Sequence, residues 1–150
     1  MSNAMSSAIQ TENLVKNFPR VEALRGLTVN VPPGAVYALV GPNGAGKTTA
    51  IKILMNIIRA TSGRAEVLGL DSSLIKGRQF ESIGYMSENQ ELPEWMPVSL
   101  FLSYLRPFYS TWDTSLEKEL VKQFDLPLDR KLHHLSRGMK MKAALAPSSR

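Results

Sequence analysis

The chain has 150 residues, enough for about one globular core. Hydrophobic residues make up 43% and charged residues 21%, a balance typical of a folded protein and not of a disordered one. The net charge of +5 comes from Lys and Arg residues scattered along the chain, so it does not predict a nucleic-acid surface. The absence of cysteine excludes disulfides, thiolate metal sites and cysteine nucleophiles. No apolar run approaches the roughly 18 residues that a membrane span needs, and we expect a soluble, cytoplasmic protein.

The first half of the chain is predicted to contain strands and one helix. Apolar and polar residues alternate over Leu24–Val31, which predicts a half-buried antiparallel strand. The continuous apolar run Ala35–Val40 predicts a strand buried on both faces. A helix from Lys47 to about Arg59 is apolar nearly all round, so we expect it to be mostly buried. Three shorter strands are predicted at Ala8–Leu14, Ala65–Leu68 and Ser82–Met86.

The second half, from residue 92 to residue 146, has the pattern of helices only. One helix is predicted from Val98 to Arg106, because Pro107 cannot continue it. Asp113 or Ser115 is expected to cap a second helix, and a third begins near Arg137. The aromatic residues of this half are expected mostly to fill a small helical core: Trp95, Phe101, Tyr104 and Trp112.

A glycine-rich motif stands between the predicted strand at residues 35–40 and the helix that follows. It reads Gly41-Pro42-Asn43-Gly44-Ala45-Gly46-Lys47-Thr48 and fits the pattern G-x-x-x-x-G-K-[ST] in full. Its glycines let the backbone approach a ligand closely, and successive N–H groups then form a nest for an anion. The helix N-terminus beyond the loop adds partial positive charge. These properties predict a site for a nucleoside triphosphate.

Three residues after the glycines have expected roles in that site. Lys47 should reach the β- and γ-phosphates, and the Thr48 hydroxyl should be a ligand of Mg²⁺. Thr49 should help to hold the α-phosphate. The alternative is an ordinary glycine-rich turn with an exposed lysine, which the full match in this context disfavours.

Later segments resemble the ATP-binding subunit of bacterial ABC transporters. The loop sequence G-P-N-G-A-G-K-T-T is the one that those subunits favour. Thr61-Ser62-Gly63 with Ala65–Gly69 resembles the hairpin that follows the loop helix in those subunits. Leu135-Ser136-Arg137-Gly138-Met139 resembles the ABC signature, usually L-S-G-G-Q. The segments Glu94–Pro97 and Arg106–Asp113, rich in aromatic and turn residues, resemble an exporter-like branch. Over residues 8–145 the resemblance implies an α/β fold, namely a P-loop NTPase core with an antiparallel β subdomain and an all-helical insert.

The resemblance also implies roles for individual residues. Ser136 and Gly138 would contact the γ-phosphate bound by a partner subunit across a head-to-tail dimer, with Arg137 in place of the usual glycine. Phe18 falls where the family carries an aromatic residue that stacks on adenine. The glutamine of the family's Q-loop, which reaches Mg²⁺, corresponds to Glu88 in an ungapped alignment and to Gln90 if the loop is shifted.

Domain limits follow from the residues at the two ends of the chain and from the family resemblance. Residues 1–4 are typical of the remnant of an expression tag, and residues 147–150 are predicted to be a tail. The phosphate-loop core and the antiparallel β subdomain are predicted over 5–89, and the helical subdomain over 90–146.

The family's activity implies cofactors and partners. They are ATP, Mg²⁺, a membrane-spanning permease subunit and a second nucleotide-binding subunit, at the inner face of the cell membrane.

The sequence stops before the family's second metal motif, catalytic glutamate and switch histidine. We therefore expect a chain truncated after its signature, which binds nucleotide with little turnover. Because the central strand of that motif is missing, we expect an exposed apolar edge and self-association. Two alternatives stay open: a catalytically dead nucleotide-binding or interaction module, and an ABC ATPase without a membrane partner.

Overall fold

A computed structural model describes residues 7–87 and 91–145 of the chain. Its contacts divide the chain into two compact units, Met1–Lys76 and Gly77–Arg150. The division predicted between residues 89 and 90 stays a proposal. The predicted tag scar and tail lie outside the described residues.

The first unit is built on an antiparallel sheet with the strand order β2-β1-β3-β4 in its described residues. Strand β1 (Ile9–Phe18) pairs along its length with β2 (Val21–Val31), and on its other side with β3 (Ser62–Val67). The short β4 (Leu70–Asp71) extends the sheet beyond β3. The alternating pattern of β2 therefore gives the antiparallel strand that the sequence predicts.

Polar side chains close the irregular part of the β1–β2 pairing. The pairing shifts register after Thr11, and the Thr11 hydroxyl fills the gap by donating to Leu27 O and accepting from Val29 N, both at 3.0 Å. Asn13, with φ 45°, donates its N–H to Thr28 Oγ1 at 2.9 Å. Backbone groups that the register shift would leave unpaired are thus satisfied, and the long hairpin stays intact.

Helix α1 (Lys47–Leu54) packs on the sheet but is shorter and more exposed than predicted. Asn56 adopts φ 50°, and the N–H of Ile57 donates to Lys52 O at 2.8 Å, a left-handed cap that ends the helix. Exposed Ile51 and Ile57 contradict the prediction of a helix buried nearly all round. The core of this unit is formed by five buried residues: Leu14, Leu24, Ala50, Ile53 and Ala65.

Two predicted strands do not form. Residues 35–40 have irregular backbone, with Val36 at 103% and Val40 at 88% exposure. Residues 77–82 form a 3-10 turn, and 83–86 have no regular structure. A strand needs a neighbour to take up its backbone hydrogen bonds. The sheet of the described residues includes neither segment, so the apolar composition of residues 35–40 does not by itself make a strand.

The second unit is helical, as the sequence predicts. Helix α2 (Val98–Leu105) passes into a 3-10 turn at Arg106–Phe108, and helix α3 (Thr114–Gln123) follows. Asp113 caps α3 by accepting from the N–H groups of Ser115 and Leu116. Helix α4 (Arg137–Leu145) completes the unit. Nine buried residues form its core: Met96, Val98, Phe101, Leu102, Leu120, Leu126, Leu132, Leu135 and Ala143.

The aromatic residues of this unit are more exposed than predicted. Phe101 is buried, but Trp95 is 64% and Tyr104 is 53% exposed. Trp112 is half-buried and donates its indole N–H to Glu117 at 2.6 Å. Leucines and valines therefore supply most of this core, and the prediction for Trp95 and Tyr104 was wrong.

Candidate functional site

The glycine-rich motif forms a tight bend that leads directly into α1. Gly44 and Gly46 both adopt φ 84°, which only glycine reaches without strain. Ala45 N donates to Pro42 O at 3.2 Å, and Ala50 N donates to Gly46 O at 2.8 Å, so the bend passes without a break into the first helical turn. The geometry expected of a phosphate loop is present on the helix side, although the segment before it is not a strand.

Lys47 lies across the bend that it follows. Its Nζ donates to Gly41 O at 2.7 Å and to Pro42 O at 2.8 Å. These two bonds hold the ammonium group over the start of the loop. The lysine predicted to contact phosphates is therefore positioned by the loop itself.

Gly46 has no space for a side chain. A Cβ atom there would lie 2.2 Å from Ala23 O and 2.7 Å from Leu24 Cδ2, both in β2. The same construction at Gly44 meets nothing within 4 Å. Gly46 thus seats the loop directly against the hairpin, a long-range contact that sequence analysis missed and that no local signal reveals.

A shallow depression lies where the loop meets β2. It has a volume of about 420 Å³ and is lined by Gly44, Ala45 and residues 22–27. Phe18 stands near its β2 side, because it pairs with Val21 two residues before Ala23. At the rise of a strand, two residues span about 7 Å. The hairpin therefore places Phe18 beside the start of β2, although Phe18 itself does not line the depression.

The signature segment of the second unit has the local geometry that the sequence predicts. Ser136 caps α4, since its Oγ accepts from Met139 N at 3.3 Å. A Cβ atom at Gly138 would meet nothing within 4 Å, which leaves this turn open to an approaching group. Arg137 is exposed at the first position of the helix. A capped helix start with an open glycine suits contact with an anion, but the ligand remains a proposal.

A charged pair holds the middle of α4. Lys140 Nζ donates to Glu94 Oε1 at 2.5 Å, and this bond holds the pKa of the Glu94 carboxyl below its usual range. His133 N–H donates to Glu94 O at 3.0 Å. The signature helix is therefore linked to the segment that precedes α2.

The residues present fit a magnesium-bound triphosphate. The Thr48 hydroxyl belongs to an exposed residue in the first turn of α1. Within residues 7–87 and 91–145, no three His, Asp or Glu side chains are grouped so as to hold a metal ion by themselves. Mg²⁺ normally keeps several water ligands and takes further oxygen ligands from the nucleotide, so a single hydroxyl ligand from the protein is enough. The Q-loop candidates Glu88 and Gln90 lie outside the described residues.

The glycine-rich bend, the helix that it opens and the antiparallel sheet beside it define a phosphate-loop nucleotide-binding fold. A family model described as ABC transporter matches residues 24–149. The chain therefore belongs to the ABC transporter family, as its motifs predict. Within that family it corresponds to the ATP-binding proteins. This family is generally one of ATPases.

Curated relatives carry matching names. The daunorubicin/doxorubicin resistance ATP-binding protein DrrA of Streptomyces peucetius is 32% identical over 99% of this chain and 46% of its own length. An uncharacterized ABC transporter ATP-binding protein of Synechocystis sp. is 32% identical over 85% of this chain and 37% of its own length. The chain thus spans less than half the length of these relatives.

Solved structures confirm the fold. An ATP-binding subunit of an ABC transporter matches 93% of this chain and 60% of its own with a TM-score of 0.79 at 23% identity. An ATP-binding cassette of an ABC transporter in its ADP conformation matches 94% of this chain and 63% of its own with a TM-score of 0.73 at 25% identity. Among the described residues, no helix has both the length and the apolar character that crossing a membrane demands.

Proposed function

We propose that this chain binds Mg-ATP as part of an ATP-binding subunit of an ABC transporter. Residues 41–49 take the triphosphate, with Lys47 on the β- and γ-phosphates and Thr49 near the α-phosphate. Phe18 stacks on the adenine. In the whole protein, hydrolysis of ATP drives transport across a membrane.

One observation carries this proposal: the loop bends back on itself and is seated against β2 through Gly46. Two left-handed glycines bend the backbone at this point, as in an anion nest, and α1 begins directly after them. Such a nest at a helix N-terminus attracts phosphate through aligned dipoles and direct hydrogen bonds. An ordinary surface turn does not require a glycine packed directly against the backbone of a neighbouring strand.

The ammonium of Lys47 supplies the formal charge in this nest. Two loop carbonyls already hold this ammonium group. The Lys47 side chain therefore loses little further conformational entropy when a phosphate binds beside it. A charge-assisted hydrogen bond contributes roughly 1.5–3 kcal/mol. Mg²⁺, if held by the Thr48 hydroxyl and the nucleotide, would neutralise charge on the phosphates. The chain's own part is to hold the Thr48 hydroxyl at the metal and the phosphates in line.

The signature segment is proposed to act on a second subunit. Ser136 and Gly138 would approach the γ-phosphate bound by a partner in a head-to-tail dimer, and Arg137 would add a positive charge there. The open first turn of α4 supports this role. Glu88 or Gln90 is proposed as the Q-loop residue at the metal.

Partners and location follow from the family. ABC ATP-binding subunits generally pair with a membrane permease and dimerise, and we propose both for the whole protein, at the inner face of the cell membrane. Drug export is a fitting transport class, since one relative is named for daunorubicin and doxorubicin resistance.

Titration calorimetry with Mg-ATP tests the nucleotide site. We expect Lys47→Ala to lower the affinity at least tenfold, because one charge-assisted bond is lost. Lys52→Ala is the matched control, since it removes an exposed lysine from the last turn of the same helix. Equal affinity in the parent and in Lys47→Ala would remove the proposal.

A further inference from the structure

Lys16 and Phe18 form a stacked pair near the end of β1. Residues two apart on a strand share one face, and here Lys16 Nζ lies over the Phe18 ring at 5.0 Å from its centroid. Phe18 is 44% exposed. The ammonium group thus lies over one face of a ring that is partly exposed to solvent.

The backbone under this pair is fixed from the side of β3. Thr61 N donates to Val15 O at 2.8 Å, and Asn17 N donates to Thr61 Oγ1 at 2.9 Å. Lys16 pairs with Leu24 of β2 on the other side. Hydrogen bonds from the side of β3 and pairing with β2 therefore hold the backbone of both residues, and the pairing with β2 shifts register between Lys16 and Asn17.

We propose that Lys16 is a positioning residue for the nucleobase: its ammonium holds one face of Phe18, so that the ring offers the opposite face to a purine. This inference rests on the proposed function. A cation over an aromatic face is attracted by the ring quadrupole. A ring already held in one orientation loses less rotational freedom when a base stacks on it, so the cation strengthens base binding without touching the nucleotide.

A simpler role for Lys16 would be to attract the phosphates by charge alone. The two roles differ in the part of the nucleotide on which they act. Ring positioning acts on the base, so it requires both Phe18 and a nucleobase. Charge attraction acts equally on a polyphosphate that has no base.

Calorimetry with two probes, Mg-ATP and the magnesium complex of inorganic tripolyphosphate, separates these roles. We expect Lys16→Met, which keeps the apolar stem, to weaken Mg-ATP binding about three- to fivefold and to leave tripolyphosphate binding unchanged. Lys16→Arg should restore the parent affinity, because guanidinium also stacks on aromatic faces. In a Phe18→Leu background, Lys16→Met should have no further effect. Lys52→Met controls for the loss of one charge and should change neither probe.

Several outcomes overturn the inference. An equal fall in affinity for both probes in Lys16→Met assigns Lys16 to charge attraction. If Lys16→Met weakens Mg-ATP binding as much in the Phe18→Leu background as in the parent, the Phe18 ring has no part in the effect. Unchanged ATP affinity in Lys16→Met, with the parent binding both probes, overturns ring positioning alone and leaves the phosphate site standing. A parent that binds neither probe overturns the proposed function as well. Circular dichroism checks that each variant keeps its sheet, and Lys16→Gln replaces Lys16→Met if that variant does not.

Discussion

Replacing Gly46 by alanine should destabilise the first unit even without nucleotide. At φ 84° an alanine costs about 1–2 kcal/mol in backbone strain. Its Cβ would also lie 2.2 Å from Ala23 O, a backbone atom that cannot move without distorting β2. Overpacking of this kind costs about 1–3 kcal/mol more. The sum of about 2–5 kcal/mol is a large fraction of the stability of a typical domain.

Gly44→Ala is the matched control, because it has the same φ of 84° and open space around its Cβ. It should cost only the strain of about 1–2 kcal/mol. Urea unfolding followed by far-ultraviolet circular dichroism gives both free energies of unfolding. Amide hydrogen exchange over residues 21–31 should show faster opening of β2 in the Gly46 variant. Free energies of unfolding within about 0.5 kcal/mol of each other would refute the claim that the loop is wedged against the hairpin.

Three further predictions concern stability and association. Burial raises the pKa of Glu117, but hydrogen bonds from Arg106 and Trp112 outweigh it and hold the pKa below its usual range. Its stabilisation is therefore complete near neutral pH and is lost as the pH falls through about 4 and below. Acid unfolding monitored by tryptophan fluorescence should show this loss in the parent and a flatter profile in Glu117→Gln; identical profiles would contradict it. Asn56 donates to Ser73 O at 3.2 Å and to Ile75 O at 3.0 Å. Asn56→Ala should cost about 2–3 kcal/mol in urea unfolding, and Asn56→Gly, which tolerates the positive φ, about 1 kcal/mol less; a glycine variant as unstable as the alanine one would argue against the cap. The exposed residues Val36 and Val40 should promote self-association, so the double lysine variant should shift sedimentation profiles towards monomer; a parent that is monomeric at every concentration contradicts this.

Local signals account for the parts of the fold that the sequence predicts well. The alternation in β2 and the caps at Asp113 and Ser136 are each encoded within a few residues, and each is found in the structure. The phosphate loop belongs to the same group, because its glycines and helix start are contiguous. Such features depend little on the rest of the chain.

The predictions that failed depend on distant partners. The run at residues 35–40 has strand composition, but composition cannot supply the neighbour that a strand requires. Residue type alone predicts that Trp95 and Tyr104 lie in the core, but it does not show that Trp95 lies in the turn before α2 or on which face of α2 Tyr104 lies. The contact of Gly46 with Ala23 joins residues far apart in the chain, and no spacing rule predicts it. The stack of Lys16 on Phe18 has a usable signal, since residues two apart in a strand share a face.

The pairing of Phe18 with Val21 fixes how far Phe18 lies along the hairpin from Ala23, against which the loop is seated at Gly46. In the proposed nucleotide site, this separation sets the distance between the adenine ring and the triphosphate. Inserting one residue between Val21 and Ala23 would lengthen this separation by about 3.3 Å and reverse which side chains lie on each face of the strand. In the proposed site, strand register therefore contributes to the choice of ligand as well as the loop.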